Sequence, residues 1–243
     1  MSSHSMTNQT GRIAVIPARG GSKRIPRKNV KLFAGQPMIS YAIRTAIESQ
    51  LFDRVIVSTD DPDIADISRS FGAETPFIRP SELSDDQTAT MPVIVHAIET
   101  CRELGWIIDF VCCIYPCVPF LRARDLEESL QLFNTSTVQF CLPVVEFSSP
   151  IQRALAIDSQ GTVKPFFPEQ ELVRTQDLAP SFHDAGQFYW GTSDSWISNS
   201  RVHSNAKGYT MPASRAIDID TPEDWAMAEL LSELQQRKDA AGN

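Results

Sequence analysis

The chain has 243 residues, of which 42% are hydrophobic, and its formal net charge at neutral pH is -8. This length suits one large α/β domain, alone or with a small appendage. The acidic balance argues against broad nucleic-acid binding, and no apolar run approaches the roughly 20 residues that span a bilayer. Residues 1–11 lack the features of a secretory signal, and we predict a disordered tail there, followed by one domain over residues 12–235.

The first predicted element is a strand, and it leads into a loop that concentrates positive charge. Residues 13–16 are an apolar run typical of a short strand buried on both faces. After Pro17 the loop holds the adjacent glycines Gly20 and Gly21, which can turn successive N–H groups into an anion nest. Five basic residues add charge, namely Arg19, Lys23, Arg24, Arg27 and Lys28. A bound polyphosphate explains this loop better than the alternative, a solvated loop that only aids solubility.

Two familiar phosphate-binding motifs can be tested against this loop. A P-loop requires G-x-x-x-x-G-K-[ST] running directly into a helix, and a dinucleotide fingerprint requires G-x-G-x-x-G. Neither spacing is present, and the next helical pattern starts only at residues 37–49. We therefore expect an extended loop, and not a helix N-terminus, to hold the phosphates.

A strand at residues 55–57 and a helix come next. Asp61 is the predicted N-cap of that helix and Pro62 suits its first turn, although Asp60 and Asp61 could also bind a metal ion or a ribose. A polar turn then precedes a helix predicted at residues 92–101. In that turn, Ser84 and Thr88 could form turns and caps or contact a ligand.

A third buried strand carries most of the cysteines. Five cysteines are present, three of them within CCIYPC, and the apolar surroundings favour reduced thiols in the core of a cytoplasmic protein. The alternatives are a metal site or a nucleophile, but the spacing lacks the paired cysteines and histidines of a zinc site. A helix that begins at Asp125 is predicted to face the core with Leu126, Leu130 and Phe133.

The pattern of alternating strands and helices is interrupted around residues 140–190. A fourth strand at residues 138–145 precedes a predicted hairpin whose turn lies at residues 158–161. Such an insertion is typical of a lid or a subunit contact. Near its end, Phe188 and Trp190 would face the core and alternate with Gln187 and Tyr189.

The last informative stretch is IDIDTPEDW. A strand at residues 216–219 would place Asp218 and Asp220 on one face, and Thr221 would cap the following helix. Two carboxylates on one face repel each other unless a cation lies between them, and Mg²⁺ is commonly held by one or two carboxylates and substrate phosphates. The alternative is a strand end with two solvated acids. Residues 236–243 are predicted to be a C-terminal tail.

Several quoted segments resemble one enzyme family. IPARGGSKRIPRKN followed by LFAGQPMI resembles the signature of the cytidylyltransferases that join CMP from CTP to eight- and nine-carbon ketosugar acids. PIQRAL, RTQDL and HDAGQFYWG look most like the pseudaminic acid branch, and the resemblance covers residues 12–230. Many sialic-acid members carry a glutamine where this chain has the run from Ile114 to Cys117.

The resemblance implies an α/β fold, a mostly parallel, doubly wound, Rossmann-like sheet of the nucleotidyltransferase type with a small β insertion. It implies a reaction between CTP and a nonulosonic acid that releases pyrophosphate, with Mg²⁺ as cofactor, in a cytoplasmic homodimer with no membrane or nucleic-acid partner. It also implies a role in cell-surface glycan biosynthesis such as flagellin glycosylation. The alternatives are an N-acylneuraminate, legionaminate or Kdo-type sugar, or a catalytically silent nucleotide-binding regulator.

The resemblance and the chemistry of the side chains together predict the site residues. The predicted nucleotide-binding residues are Pro17, Ala18, Arg19, Gly20, Gly21, Ser22, Lys23, Lys28, Asn29, Ser84 and Thr88. Arg19, Lys23 and Asp220 are predicted to be catalytic, and Asp218 and Asp220 to hold the metal ion. Because guanidinium groups bind carboxylates in a bidentate manner, the predicted sugar-binding residues are Arg153 and Arg174, with His183, Gln187 and Tyr189.

Overall fold

The structure is a computed structural model that describes residues 11–198 and 201–240. The tail predicted at the N-terminus lies, except for Gly11, outside the described residues. The strands and helices are, in chain order, β1 (Arg12–Pro17), β2 (Leu32–Phe33), β3 (Gln36–Pro37), α1 (Ile39–Glu48), β4 (Arg54–Ser58), α2 (Pro62–Ser70), α3 (Thr90–Glu103), β5 (Phe110–Ile114), α4 (Ala123–Asn134), β6 (Phe140–Glu146), β7 (Leu155–Ile157), β8 (Val163–Pro165), β9 (Phe182–Asp184), β10 (Phe188–Thr192), α5 (Ser193–Ile197), β11 (Ala206–Thr210) and α6 (Pro222–Ala240).

The main sheet has the strand order β11-β6-β10-β5-β1-β4, and the short strand β9 pairs with β6. Strand β1 pairs in parallel with β4 and β5, and β11 pairs in parallel with β6. Strand β10 runs antiparallel between β5 and β6. The sheet is therefore mixed but mostly parallel, which confirms the predicted fold class.

Strand β1 shows why helices cover both faces of this sheet. Ala14 and Ile16 contribute to the apolar cluster on one face, and Ile13 and Val15 contribute to the cluster on the other. Helices α1, α2 and α4 pack on the first face, while α3 and α5 pack on the second. An uninterrupted apolar run is the pattern expected of a strand covered on both sides.

Aspartate side chains fix two helix starts, of which the cap at Asp61 was predicted. The Asp61 carboxylate accepts hydrogen bonds from the amides of Asp63 and Ile64 at 2.9 and 3.0 Å, as an N-cap does. The Asp125 carboxylate accepts from the amide of Arg122 at 3.0 Å, and α4 begins at Ala123, two residues before the predicted start at Asp125. Both carboxylates therefore fix the points at which helices leave the sheet.

The cysteines lie in the core as predicted. Cys101, Cys112, Cys113 and Cys141 are buried, Cys117 is partly buried, and all five are free. Burial raises the pKa of Cys101 to about 11 and the pKa of Cys141 to about 12. A thiol with so high a pKa is protonated at neutral pH and is a poor nucleophile or metal ligand.

The insertion contains the predicted hairpin. Strands β7 and β8 pair antiparallel as a separate two-stranded sheet. The turn between them includes Gly161, whose φ of +83° favours glycine, and its amide donates to the Asp158 carbonyl at 3.0 Å. The hairpin lies outside the main sheet, as expected of an inserted element.

Three local predictions need correction. Residues 216–219 form no strand in the described structure, because they cross from a 3-10 turn to α6 without a neighbouring strand to pair with. Gln187 and Tyr189, which alternate with the core-facing Phe188 and Trp190, are themselves only 2% and 8% exposed. Tyr189 lies on β10, an inner strand covered on both faces, and Gln187 directly precedes that strand. Helix α6 continues to Ala240, so the tail predicted from residue 236 begins inside a helix.

Among the described residues, no helix is both long enough and apolar enough to cross a bilayer.

Candidate active site

A cleft of about 560 Å³ opens at the carboxyl ends of β1 and β5, where Pro17 and Tyr115 form part of its wall. Clefts at this edge of an open α/β sheet are the usual ligand sites of such folds. The cleft is lined by Pro17, Arg19, Ser22, Lys23, Arg24, Lys28, Asn29, Arg79, Leu83, Asp85, Asp86, Thr88, Thr90, Val93, Tyr115, Pro116 and Asp220. It is also rich in charge, which favours a polar, multiply charged ligand.

The start of the basic loop is held against β4. The amide of Ala18 donates to the Ser58 carbonyl at 2.9 Å, and the amide of Gly20 donates to Oδ1 of Asp60 at 3.0 Å. A Cβ atom at position 20 would lie 2.6 Å from Oδ2 of Asp61, so the close approach requires glycine. Neither Gly20 nor Gly21 has a positive φ. The predicted anion nest is therefore wrong for Gly20, because its amide donates to Asp60 and is not directed at a ligand.

Arg19 and Lys23 share one acidic partner across the cleft. Nη2 of Arg19 lies 2.9 Å from Oδ1 of Asp86, and the Lys23 ammonium contacts the other oxygen of the same carboxylate. Arg19 also donates to the Asp85 carbonyl. The Lys23 side chain is 82% exposed, so its charge is free to reorient toward a ligand. The two predicted cations therefore lie together at the mouth of the cleft.

The second half of the basic loop reaches the other end of the chain. Nζ of Lys28 lies 3.1 Å from Oδ1 of Asp220 and donates to the Ile219 carbonyl at 2.7 Å. Nη2 of Arg24 lies 2.7 Å from Oδ2 of Asp220. Almost two hundred residues separate the partners in sequence. The structure thus brings the basic loop and Asp220 to one site.

An apolar cluster explains why these distant segments meet. Ile25 of the basic loop and Ile219 are 3% and 1% exposed, and both pack in one cluster with Phe33 and Trp225. Burying such side chains stabilises their arrangement by about 1.5–3 kcal/mol each. The charged residues beside Ile25 and Ile219 are consequently carried to the same edge of the cleft.

Asn29, Ser84 and Thr88 were also predicted to bind the nucleotide. Nδ2 of Asn29 donates to the Arg19 carbonyl at 2.9 Å, which braces the basic loop from within. Oγ1 of Thr88 donates to Oδ1 of Asp85 at 2.6 Å, and Oγ of Ser84 donates to the Pro80 carbonyl at 3.0 Å. Both hydroxyls therefore make turn contacts. The described lining of the cleft includes Asn29 and Thr88 but not Ser84.

Asp218 and Asp220 form the candidate metal site. Partial burial, followed by the charge of Asp220, raises the pKa of Asp218 above its usual value. Two hard oxygen donors that repel each other fit a divalent cation such as Mg²⁺. In the described part of the chain, no group of three or more His, Cys, Asp or Glu side chains could hold a metal ion. The two carboxylates would therefore need oxygen ligands from a bound substrate.

The predicted sugar-binding arginines lie in the insertion and contact it. Nη1 of Arg153 donates to the carbonyls of Gln170 and Glu171 at 3.0 and 2.8 Å. Nε of Arg174 lies 2.7 Å from Oδ2 of Asp177. As far as the chain is described, neither arginine lines the cleft. Both arginines contact acceptors within the insertion, and their predicted role in sugar binding stays a prediction.

The remaining sugar-binding predictions have similar outcomes. The His183 ring packs against Phe147 with 4.9 Å between ring centroids, and Nε2 of Gln187 donates to the Arg215 carbonyl at 2.6 Å. The Tyr189 hydroxyl donates to Oδ2 of Asp184 at 2.8 Å. None of the three is among the described lining of the cleft. The buried Gln187 side chain is instead a bridge between β10 and the segment that precedes Asp218.

Tyr189 does line a second, smaller pocket beside the cleft. This pocket has a volume of about 130 Å³ and shares Thr90 and Tyr115 with the cleft. The two shared hydroxyl oxygens lie 2.9 Å apart. Burial raises the pKa of both Tyr115 and Tyr189, so both phenols stay protonated at neutral pH. A ligand that extends from the cleft into this pocket would pass Thr90 and Tyr115, which line both.

Sequence reasoning missed several residues of the cleft. The Arg79 side chain is only 4% exposed, its Nε donates to Oγ of Ser84 at 3.1 Å, and Nη2 lies 3.7 Å from Asp60. Burial lowers the pKa of Arg79, and the Asp60 charge opposes that effect. Asp86, Arg24 and Tyr115 were missed as well. Arg79 and Asp86 lie within residues 79–90, the stretch before α3 that also carries Ser84 and Thr88, but their spacing alone does not show that they turn inward.

This chain is similar in sequence to a family of enzymes and to two of its characterised relatives. The model of the cytidylyltransferase family matches residues 13–237. The chain is 39% identical over 222 residues to the pseudaminic acid cytidylyltransferase of Campylobacter jejuni, covering 90% of this chain and 95% of that protein. It is 33% identical over 231 residues to the CMP-N,N'-diacetyllegionaminic acid synthase of Legionella pneumophila, covering 92% of this chain and 97% of that protein.

A solved structure also resembles this chain. The structure of CMP:2-keto-3-deoxy-manno-octonic acid synthetase complexed with CTP matches with a TM-score of 0.68 and 19% identity, covering 94% of this chain and all of that one. At so low an identity the likeness shows the fold alone.

Proposed function

The chain belongs to the cytidylyltransferase family, and we propose that it transfers CMP from CTP to the anomeric hydroxyl of a nonulosonic acid and releases pyrophosphate. Pseudaminic acid is the best-supported sugar, because the relative from Campylobacter jejuni carries that name at 39% identity. The legionaminic acid relative, at 33% identity, makes a related nonulosonic acid the second candidate.

One observation in the structure carries the proposal. Lys28 and Arg24 of the basic loop both contact the carboxylate of Asp220, at 3.1 and 2.7 Å. The phosphate-binding charges and the carboxylate proposed for the metal ion therefore face the same cleft. A triphosphate that lies along this cleft can reach both at once.

We assign the two ends of the nucleotide from the charges of the lining. Arg19 and Lys23 would offset the charge of the β- and γ-phosphates, with the Ser22 hydroxyl beside them. The buried guanidinium of Arg79 and the hydroxyl of Thr88, which line the same cleft, would offer donors to the base and ribose. This assignment uses the residues predicted from the sequence and adds Arg79.

The proposed cofactor is Mg²⁺, held by Asp218 and Asp220. When bound together with phosphate oxygens, such an ion neutralises charge on the α-phosphate region. Lys28 keeps Asp220 in place through its contacts with the carboxylate and the adjoining Ile219 carbonyl. The donor set of this chain fits that ion, because both ligands are carboxylates.

The reaction follows from this arrangement. The anomeric oxygen of the sugar attacks the α-phosphorus in line, a new P–O bond forms, and the bond to the bridging oxygen breaks. Pyrophosphate leaves with the electron pair of that bond, and the hydroxyl proton passes to solvent. Catalysis would come mostly from positioning and from stabilisation of charge by Arg19 and Lys23, without a covalent enzyme intermediate.

The sugar would enter where the smaller pocket adjoins the cleft. Tyr115 and Tyr189 offer hydroxyl groups there, and Tyr189 was already predicted to contact the sugar. Arg153, Arg174, His183 and Gln187 remain predictions for the sugar site that the contacts of the single chain do not favour. The carboxylate of the sugar would then need a cation of the cleft itself.

We further propose that the protein is a cytoplasmic homodimer that serves cell-surface glycan biosynthesis, such as flagellin glycosylation. The hairpin and the chain after it expose large apolar side chains, with Leu155 at 55%, Ile157 at 70% and Leu172 at 97%. Apolar side chains grouped on one inserted element are typical of an interaction surface. The buried reduced cysteines support a reducing compartment.

A substrate panel tests the reaction. Pseudaminic, legionaminic and N-acylneuraminic acids and a Kdo-type sugar are each mixed with CTP, UTP or ATP, and released pyrophosphate is measured. We expect turnover with CTP and pseudaminic acid, and little with UTP or ATP. Turnover with another sugar alone would reassign the substrate. CTP binding without pyrophosphate release from any sugar would favour the silent regulator.

A further inference from the structure

The segment that carries Asp218 and Asp220 has no regular secondary structure of its own. It lies between the 3-10 turn Ala213–Arg215 and helix α6. Ile219, between the two aspartates, is 1% exposed in an apolar cluster, and Ile217, directly before Asp218, packs against the same cluster. A metal site needs both carboxylates held in place, so the contacts of the residues before Asp218 matter as well.

The Arg215 side chain anchors the upstream side of this segment to helix α4. Its guanidinium donates to the Asp125 carboxylate, and the two side chains are only 14% and 3% exposed. The same carboxylate accepts from the Arg122 amide at 3.0 Å, and it lies 3.1 Å from the Tyr209 hydroxyl, whose single proton it shares with Glu128 at 2.9 Å. The anion is therefore surrounded by donors from α4, from β11 and from the turn before Asp218.

The main chain of Arg215 is anchored as well. Its carbonyl accepts a hydrogen bond of 2.6 Å from Nε2 of Gln187, which is 2% exposed. The Gln187 carbonyl in turn accepts from the amide of Tyr115, at 2.8 Å, at the wall of the cleft. Arg215 is therefore tied through its side chain to α4 and through its backbone to the central sheet, three residues before Asp218.

We propose that Arg215 is a positioning residue that holds Asp218 and Asp220 in register with the basic loop, through Asp125 on one side and Gln187 on the other. This inference rests on the proposed function of the cleft, since it assigns a role to the support of the same carboxylates. Without the guanidinium, the upstream half of the segment loses its anchor to α4. The carboxylates then bind a divalent cation less well, whereas Arg19, Lys23 and Arg79 lie on other segments and keep their positions.

The test compares Arg215→Ala and Arg215→Lys with Arg124→Ala. Arg124 is the matched control, because it lies on the same helix as Asp125 and also forms an ion pair, with Glu128. Its side chain is 81% exposed, whereas that of Arg215 is largely buried. Binding of CTP is measured by calorimetry with Mg²⁺ and with EDTA, and the Mg²⁺ concentration for half-maximal pyrophosphate release is measured separately. Circular dichroism and the melting temperature report whether each variant folds.

We expect Arg215→Ala to raise the half-saturating Mg²⁺ concentration about tenfold, the lower end of the range for residues that support metal ligands. Binding of CTP in EDTA should stay within about twofold of the unmodified protein. Arg215→Lys should raise the half-saturating Mg²⁺ concentration by a smaller factor than Arg215→Ala, and Arg124→Ala should leave it unchanged. Equal losses with Mg²⁺ and with EDTA, or a lower melting temperature with an unchanged Mg²⁺ dependence, would overturn the proposal.

A second variant covers the case in which Arg215→Ala does not fold. Gln187→Met removes the donor to the Arg215 carbonyl and keeps the guanidinium, so it should shift the Mg²⁺ dependence in the same direction by a smaller factor. An unchanged Mg²⁺ dependence in both Gln187→Met and Arg215→Lys would also reject the proposal. Calorimetry needs no sugar, so failure of the proposed reaction with every sugar would leave this comparison intact.

Discussion

At the scale of single residues, the cations of the cleft contact carboxylates, and a bound nucleotide would replace these carboxylates with its phosphates. Asp86 contacts both Arg19 and Lys23, and Asp220 contacts Arg24 and Lys28. Each carboxylate is thus matched with two cations, and each group of three charges carries a net positive charge. Exposed ion pairs contribute little to stability, so a polyanion can displace them at small cost. The paired cations are held in place and remain available to phosphate.

Lys23→Ala tests the role of the basic loop. The Lys23 ammonium is exposed at the mouth of the cleft and contacts Asp86 alone among the described acidic side chains. Its removal takes away a charge that would stabilise the departing pyrophosphate, so we expect turnover to fall about a hundredfold. Steady-state kinetics with CTP measure the change, and Lys207→Ala on the distant strand β11 is the control. An unchanged kcat and KM for CTP would contradict this role.

Asp86→Asn tests whether Asp86 competes with the phosphates. The Asp86 carboxylate contacts both Arg19 and Lys23, and these contacts must give way to a triphosphate. An amide keeps the shape and removes the charge, so we expect the KM for CTP to fall several-fold at low salt. The difference should shrink as salt screens the charges. If Asp86→Asn raised the KM for CTP instead, the carboxylate would be holding the two cations in their binding positions.

Asp218→Asn tests a trade-off between stability and activity. Partial burial and the Asp220 charge raise the pKa of Asp218, so the folded state favours its protonated form more than the unfolded state does. That contribution stabilises the fold at low pH and is lost as the pH rises through the raised pKa. At pH 7 the charged carboxylate therefore destabilises the fold.

We accordingly expect Asp218→Asn to melt at a higher temperature than the unmodified protein at pH 7, and the gap to narrow toward pH 3.5. The same substitution removes a proposed metal ligand, so turnover should fall about a hundredfold or more. Thermal scans across this pH range and pyrophosphate assays measure both effects. A lower melting temperature at pH 7 would show that Asp218 makes a stabilising contact in the folded protein.

At the scale of elements, the beginning of α6 fixes the downstream end of the Asp220 segment. Oδ2 of Asp224 accepts from the amides of Asp220 and Thr221 at 3.1 and 2.7 Å, and the Asp224 amide donates to Oγ1 of Thr221 at 3.2 Å. This is the reciprocal arrangement of a capping box. The predicted cap is therefore confirmed, and it also orients the backbone of Asp220.

Thr221→Ala tests this cap. Loss of the hydroxyl removes its hydrogen bonds with Asp224, and such substitutions lower the free energy of unfolding by about 1 kcal/mol. We also expect a higher KM for CTP, because Asp220 is the neighbouring residue. Urea denaturation and kinetics measure the two effects, with Thr221→Ser as the variant that keeps the hydroxyl. A fully stable Thr221→Ala protein would show that the packing of Trp225 alone fixes the helix start.

At the scale of the whole molecule, the inserted hairpin stands apart from the core. Strands β7 and β8 form their own two-stranded sheet, and all residues of β7 are exposed. An isolated hairpin of this size is marginally stable in water. A second copy of the chain that covers its apolar side chains would supply the missing burial, which is the basis of the proposed dimer.

Ile157→Lys tests the proposed dimer. Ile157 is 70% exposed in the single chain, so a charge there should leave the fold intact and disrupt an apolar interface. We expect light scattering coupled to gel filtration to report a mass near 54 kDa for the unmodified protein, which is twice the 27.1 kDa of one chain, and a monomer for the variant. Ile107→Lys, at a residue 75% exposed outside the insertion, should remain dimeric. A monomeric unmodified protein would remove the proposal.

The sequence by itself determined the elements whose causes are local. The apolar run of β1, the caps at Asp61 and Thr221, and the glycine turn of the hairpin were all predicted and are confirmed. Each depends on a few consecutive residues and on the backbone preferences of those residues. The basic loop belongs to the same group, because its composition alone separates it from an acidic chain.

Only the tertiary structure decided which distant residues meet. Ile25 and Ile219 bury in one apolar cluster, and this packing brings Lys28 to Asp220. Gln187 shares that dependence, since its buried side chain, directly before β10, donates to the carbonyl of Arg215, 28 residues further along the chain. Such outcomes depend on contacts between segments far apart in sequence, and no local pattern records them. The physical reason is that burial is set by what packs against a side chain and not by its sequence neighbours.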